Sequence, residues 1–227
     1  MRPDDSGARG AGGADNGAGV VDDEAVRLAV VEAGAAPLAA ELFAGVERVV
    51  LTRSELRPEV PFAGALFDLL GGLAGRGLIG LVVPGAWRDE CAGSRSATPP
   101  PPAVPRLPSP LPAAADVLVV RDHVNLALRG PLTGRWPADV PRTFPCMTGI
   151  YQPAAARAAA GAPVYSEDVV TAGVRDASRL TPFERRALAE AGAEAYSDCL
   201  VPAVVAAAFY GLKVAACLLV QAARERE

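Results

Sequence analysis

This sequence has little histidine, and its cysteines lack the short spacings that bind metals. Its 227 residues include one histidine, His123, and four cysteines with no CxxC spacing. A zinc site needs several such ligands at short, regular spacings, so we expect no bound metal. The scattered thiols do not resemble a disulfide framework, and no apolar secretory segment stands near the first residue. We therefore predict a reducing, cytoplasmic location.

Lysine is also scarce. Lys213 is the only lysine, the formal net charge is −4 and the pI is near 5.2. No basic cluster extends beyond Arg185–Arg186. An acidic chain without a basic patch lacks the electrostatic signature of nucleic-acid or anionic-membrane binding, so we expect neither class of partner.

One mostly apolar stretch, residues 201–223, is long enough to cross a bilayer. Pro202 opens this stretch, Gly211 interrupts it and Lys213 places a charge near its middle. A charge at that depth is costly in a membrane. The pattern favours a helix, a glycine stop and a buried strand.

The length suits one α/β domain with extensions. Residues 1–20 are polar and rich in glycine, without hydrophobic periodicity, and predict a disordered tail. Residues 94–115 are too rich in proline for helix or sheet and predict an extended insertion. Residues 21–227 are therefore expected to form a single domain with an insertion at about 94–115.

The remaining segments alternate between strand-like and helix-like patterns. The predicted helices are Asp22–Ala44, Pro61–Leu73, Pro153–Ala160, Pro182–Ala191 and Pro202–Tyr210, and the predicted strands are Arg48–Thr52, Leu78–Val83, Asp116–Arg121, Val164–Thr171, Ala195–Tyr196 and Leu212–Val220. Residues 126–147 are expected to form a loop. This alternation predicts an α/β layered fold with a mixed, largely parallel central sheet flanked by helices.

Four local strings carry a resemblance to a known family. They are DVLVVRDHVNL at residues 116–126, GPLTG at 130–134, FPCMTGIY at 144–151, and the GAEA…VP…GLKV region at 192–214. Their order and spacing resemble those of the trimeric purine nucleoside phosphorylases. The resemblance covers a little under half of the chain.

The resemblance implies a nucleoside-phosphorylase-like fold and a reaction in which phosphate replaces the purine base on the pentose. The products would be the free base and pentose 1-phosphate. The partners would be a purine nucleoside and inorganic phosphate as co-substrate, with no other cofactor. It also implies a homo-oligomer, a trimer, in which Phe144 reaches the neighbour's sugar site. The alternative for Phe144 is a loop anchor that packs against its own domain.

Asp122, His123 and Asn125 form the family's motif at the end of a strand. Their side chains can bond the backbone of the loop that follows, which is a structural role. His123 is the only imidazole, so a catalytic base is the competing interpretation. The structural interpretation is favoured, because a lone histidine needs partners to act as a base.

The residues that the family uses for chemistry are mostly replaced. Arg53 is the best match to the family's phosphate-binding Arg-x-His pair, but Ser54 and Glu55 follow it and no Gly-Ser-Gly phosphate loop precedes the first predicted strand. Leu180 stands where the purine-binding Glu belongs, and Ala222 stands where the resemblance implies an Asn.

Asp198 and Cys199 replace the Met and the phosphate-binding Ser of the family's GMSTVPE string. They are the candidate substrate-binding residues, yet a carboxylate beside a phosphate pocket is electrostatically unfavourable. No catalytic residue can be assigned. The sequence therefore predicts a purine nucleoside phosphorylase-like protein with impaired or lost catalysis.

Three hypotheses remain open. The chain is an enzyme recruited to another reaction through Asp198, Cys199, Arg175 and Asp176, a non-catalytic scaffold that associates with itself or with an active paralogue, or a decaying gene product with a marginal fold. Pairing of Asp198 with Arg175 or Arg179 would fill the site and favour the scaffold.

Overall fold

The computed structural model describes residues 26, 28–36, 42–74, 77–87, 116–127, 130–160 and 164–220. The predicted tail at 1–20 and insertion at 94–115 lie outside these residues. The strands are β1 Leu28–Glu32, β2 Glu47–Leu51, β3 Leu78–Trp87, β4 Asp116–Asn125, β5 Val164–Gly173, β6 Ala195–Ser197 and β7 Lys213–Val220. The helices are α1 Ala65–Leu73, α2 Pro153–Ala160, α3 Pro182–Glu190 and α4 Leu200–Phe209, with a 3-10 turn at Ala177–Arg179.

The strands form one seven-stranded sheet in the order β2-β1-β3-β6-β5-β4-β7. Most neighbouring pairs are parallel, and β3–β6 and β4–β7 are antiparallel. The prediction of a mixed, largely parallel sheet accompanied by helices is therefore confirmed. A further pairing of β3 with β7 closes β3, β6, β5, β4 and β7 into a barrel-like ring, so the layered arrangement that we predicted is not confirmed.

The ring closes because β3 does not end at Pro84–Gly85, where the sequence predicts its stop. Residues 78–85 of β3 pair with β7, and Ala86 and Trp87 then pair with β6. A Cβ atom at Gly85 would lie 3.1 Å from the side chain of Leu218, so glycine permits the close approach at this change of partner. Strand β3 therefore pairs with β7 along most of its length and with β6 at its end.

The predicted helix at Asp22–Ala44 is wrong. Strand β1 occupies its centre, pairs in parallel with β2 and β3, and has all five residues buried. A strand that is buried on both sides reads as a continuous apolar run, which hides the alternation typical of strands. The β-branched Val30 and Val31 fit this central position.

The other predicted elements are confirmed, with some shifts at their ends. Strand β4 continues past the predicted Arg121 to Asn125, and β5 continues past Thr171 to Gly173. Helix α2 has the predicted bounds. Helix α3 begins with the predicted capping box between Thr181 and Glu184.

Helix α4 lies in the core, with seven of its ten residues buried. Strand β7 follows after a turn at Gly211, as the sequence predicts for this stretch. Among the described residues, no helix has the length and apolar character needed to span a membrane. As far as Val220, the last described residue, the long apolar stretch therefore folds as a core helix followed by a core strand.

Candidate functional site

The candidate site forms where β1, β2 and β6 end. Glu32, the last residue of β1, is in register with Leu51, the last residue of β2. The Ser197 hydroxyl at the end of β6 donates to the Pro84 carbonyl in β3 (3.1 Å), which places the start of α4 at the same edge. The parallel strands β1 and β2 present their carboxyl ends at this edge, whereas β6 runs antiparallel to β3 and reaches it through the contact of Ser197 with Pro84.

Asp198 is the central group of this edge. Its side chain is only 6% exposed. Its Oδ2 lies 3.2 Å from Arg57 Nη1 and 3.4 Å from Arg53 Nη1. The side chain of Arg53 is 54% exposed and that of Arg57 is 32% exposed. The predicted phosphate residue and the predicted substrate residue are therefore paired with each other.

The pairing of Asp198 differs from the one considered in the sequence analysis. Asp198 pairs with the arginines that follow β2, whereas Arg179 faces Asp176 at 3.7 Å. Arg57 was missed, because no motif marks it. Arg53 begins the turn at residues 53–56 and Arg57 directly follows it, so the turn brings both guanidinium groups to one carboxylate.

Cys199 lies beside this ion pair. Its thiol donates a hydrogen bond to Asp198 Oδ1 (3.0 Å), and burial together with the neighbouring carboxylate raises its pKa. A buried thiol that stays protonated is a poor nucleophile. Cys199 therefore acts as a small buried residue, and this geometry gives no support to covalent catalysis through it.

Glu32 is a second carboxylate that sequence reasoning missed. It is 7% exposed, and its Oε2 accepts hydrogen bonds from the backbone N–H groups of Gly34 (2.7 Å) and Ala35 (3.2 Å). Its charge also raises the pKa of the Cys199 thiol. An acid at the end of an apolar run and two residues before a glycine was the available signal, but the helical interpretation of this segment concealed it.

Asp122, His123 and Asn125 lie at the end of β4. Asp122 Oδ1 accepts the His123 N–H (2.8 Å), and Asn125 Oδ1 accepts the N–H of Ala127 (3.3 Å). His123 Nδ1 lies 2.9 Å from the Tyr151 hydroxyl. Burial lowers the pKa of His123 and raises that of Tyr151.

Of the three, Asn125 bonds the backbone of the loop that follows β4, whereas Asp122 bonds the next residue of the strand and His123 bonds a side chain. A cleft of about 330 Å³ lies alongside, lined by Arg121, Asp122 and residues 147–151. None of the residues that line this cleft belongs to the ion pair of Asp198 with Arg53 and Arg57. The side chains that the family resemblance assigns to phosphate and substrate do not line it.

Phe144 is 96% exposed, so it does not anchor its loop against its own domain. Trp136 fills that role: its ring packs edge-on against Phe62 (4.7 Å between centroids) and Phe209 (5.8 Å). The indole N–H also donates to the Leu132 carbonyl (2.9 Å). The alternative prediction for Phe144 as a loop anchor is therefore wrong.

In the segment expected to grip a purine, the nearby carboxylates are already engaged, with Asp176 facing Arg179 at 3.7 Å. The Leu180 carbonyl accepts Arg185 Nε (2.9 Å), and Glu184 is engaged in the capping box with Thr181. Tyr196, which is 1% exposed, packs against Ala172 and its neighbours, and its hydroxyl donates to the Arg185 carbonyl (3.3 Å). These groups are therefore engaged within the chain, whereas Arg185 Nη1 is buried and has no hydrogen-bond partner among the described residues.

The charges of the site balance each other. Two acids, Glu32 and Asp198, stand against two arginines, Arg53 and Arg57. A phosphate dianion would meet no net positive charge. Within the described ranges, no group of three or more His, Cys, Asp or Glu side chains could hold a metal ion.

Comparison with known proteins gives a structural answer only. No protein-family model matches the chain, and no curated protein matches it by sequence. The purine nucleoside phosphorylase of Schistosoma mansoni in complex with acetate matches its structure with a TM-score of 0.58 at 14% identity, covering 86% of this chain and 80% of that chain. The schistosoma enzyme in complex with hypoxanthine matches with a TM-score of 0.57 at 15% identity, covering 89% and 81%. The chain therefore has the fold of these purine nucleoside phosphorylases, in a strongly diverged sequence.

Proposed function

We propose that this chain is a purine nucleoside phosphorylase-like protein whose phosphorolysis is impaired or lost. The shared fold and the four motif strings support the family-level part of this proposal. The loss of activity is supported by one observation above all: the Asp198 carboxylate already pairs with Arg53 and Arg57.

Phosphorolysis requires phosphate to attack C1′ of the pentose while the bond to the purine nitrogen breaks. The site must hold the anion and stabilise the charge that develops on the departing base. Two like charges about 4 Å apart repel by roughly 4 kcal/mol at an effective dielectric constant of about 20. Asp198 would impose a penalty of this order on phosphate at the arginine pair, and Cys199 supplies a weak thiol donor where the family has a serine.

The test combines an assay with a binding measurement. Purified protein is incubated with inosine or guanosine and phosphate, and release of the base is followed by chromatography. Titration calorimetry then measures phosphate and nucleoside, singly and together. We expect no release above the uncatalysed rate and no phosphate binding. Turnover, or nucleoside binding that strengthens with phosphate, would contradict the proposal.

A second candidate function is a non-catalytic scaffold that associates with itself or with an active paralogue. The 96% exposure of Phe144 supports it, because the ring makes little contact with its own domain and is accessible to a neighbouring subunit, where the family resemblance would place it. By family resemblance the assembly would be a trimer, located in the cytoplasm.

Light scattering measures the mass of the native protein and of Phe144→Ser. We expect an oligomer that this substitution weakens while the thermal melt of the subunit stays intact. Val60→Ser, at another exposed apolar side chain (61%), is the matched control. A monomeric native protein would count against the scaffold.

A further inference from the structure

We propose that Glu32 and Asp198 together keep a latent oxyanion site filled, so that the chain carries its own substitute for a bound anion. This inference rests on the proposed function, since it explains how phosphate is refused. It goes further by assigning the exclusion of phosphate to Glu32 and Asp198 and by predicting that phosphate binds once their charges are removed.

The first half of the latent site is a backbone cradle. The N–H groups of Gly34 and Ala35 both point at Glu32 Oε2, at 2.7 and 3.2 Å. Convergent backbone N–H groups after a strand bind anions. A Cβ atom at Gly34 would lie 3.0 Å from that oxygen, so the glycine keeps the space that the carboxylate occupies.

The second half is the arginine pair. Arg53 and Arg57 both direct Nη1 to Asp198 Oδ2. Two guanidinium groups that converge on one oxygen form the donor arrangement that oxyanions of phosphate type select.

The two halves lie at one edge of the sheet. Ala33 N–H donates to the Leu51 carbonyl (2.8 Å), which joins the cradle to the strand end that leads into Arg53. The charges of Glu32 and Arg53 both act on the Cys199 thiol. Each half is thus filled by a carboxylate of the chain, and the ligand class that would replace them is a tetrahedral oxyanion.

The experiment uses the full chain and two probes, inorganic phosphate and sulfate. Asp198→Asn and the double variant Glu32→Gln/Asp198→Asn are compared with the native protein by thermal melting and titration calorimetry at matched ionic strength. We expect the native melt to be insensitive to both anions. Each variant should bind phosphate with a dissociation constant at least about tenfold lower than the native protein, and its melting temperature should rise with anion concentration.

Two matched controls remove a negative charge elsewhere. Asp176→Asn neutralises a carboxylate that faces Arg179, and Glu194→Gln neutralises one that accepts the backbone N–H of Val170 (2.9 Å). Neither should gain anion binding. A gain in these controls equal to that of Asp198→Asn would overturn the inference, because it would reflect net charge alone.

The outcomes separate the two proposals. Folded variants that bind phosphate no better than the native protein overturn the latent site and leave the lost phosphorolysis intact. A native protein that binds phosphate as tightly as the variants overturns both. If Asp198→Asn does not fold, Asp198→Ser is used in phosphate buffer; failure of both to fold there overturns the inference, since a bound anion should replace the missing carboxylate.

Discussion

Arg57 Nη1 lies 3.2 Å from Asp198 Oδ2, although 141 residues of chain separate the two. The contact ties the turn after β2 to the start of α4. A hydrogen bond between charged groups contributes about 1.5–3 kcal/mol when it is buried. The acid is buried and the arginine is one-third exposed, so solvent screening reduces this contribution.

Replacement of Arg57 should therefore destabilise the protein more than replacement of Arg53. We expect Arg57→Met to lower the free energy of unfolding by about 1 kcal/mol and Arg53→Met by less, because more than half of the Arg53 side chain is exposed. Denaturant unfolding followed by circular dichroism measures both. Arg179→Met, at an 86% exposed arginine 3.7 Å from Asp176, is the control and should change little. Equal losses in all three would contradict the ordering.

The stability of the protein should fall in mild acid because of His123. Burial lowers the pKa of this imidazole below 6.5, and the charge of Asp122 only partly opposes the shift. Between the folded and unfolded pKa values the unfolded state binds more protons, so the free energy of unfolding rises with pH in that window. We expect it to decrease as the pH falls from about 7.5 to about 5.5.

His123 is the only histidine, so the effect can be isolated. In His123→Gln the slope of stability against pH over this range should flatten. Tyr151→Phe, which removes the hydroxyl bonded to Nδ1 but keeps the imidazole, should retain a slope of the same sign. Unfolding curves at a series of pH values give the slopes, and an unchanged slope in His123→Gln would show that another group is responsible.

Gly173 should not tolerate a side chain. A Cβ atom there would overlap the side chain of Val201 in α4. Overpacking of a core usually costs about 1–3 kcal/mol, and we expect Gly173→Ala to fall in that range. Val201→Ala should recover part of the loss in the double variant, which thermal and denaturant melts would measure.

Gly72→Ala is the matched control for the same substitution. Apart from its chain neighbours and the backbone of its own helix α1, no described atom lies within 4 Å of a Cβ at Gly72. Alanine is favoured over glycine in a helix by up to about 1 kcal/mol, so this variant should be as stable as the native protein or more so. A loss there comparable to that of Gly173→Ala would mean that the clash with Val201 is not the cause.

The described cysteines should differ sharply in reactivity. Cys146 is exposed, and hydrogen bonds from the Thr148 backbone and hydroxyl lower its pKa. Burial raises the pKa of Cys199 and raises that of Cys217 to about 12. We expect iodoacetamide to label Cys146 at least about tenfold faster than either buried thiol in the folded protein.

Peptide mapping by mass spectrometry assigns the label to each cysteine. Thr148→Val removes the hydroxyl donor but keeps the N–H group, and should slow labelling of Cys146 without affecting Cys199. Denaturant should make all the thiols reactive. Rapid labelling of Cys199 in the native protein would contradict its burial against Asp198.

The sequence by itself determined the elements whose signals are local. The Thr181–Glu184 capping box and the glycine after α3 specify that helix with backbone and side-chain chemistry confined to a few residues. Pro202, Gly211 and Lys213 likewise divide the last apolar stretch into α4 and β7. The motif strings also predicted the fold that the structural comparison confirms.

Only the tertiary structure decided the features that depend on distant partners. Strand β1 is buried from both sides, so its apolar run carries no period of two and resembles a helix in sequence. The closure of β3 onto β7 and the choice of Trp136 over Phe144 as the loop anchor follow from packing between remote segments. The Asp198 ion pair is of the same kind: sequence identifies the charges, but the free energy that selects their partners is set by which strand ends the folded sheet brings together.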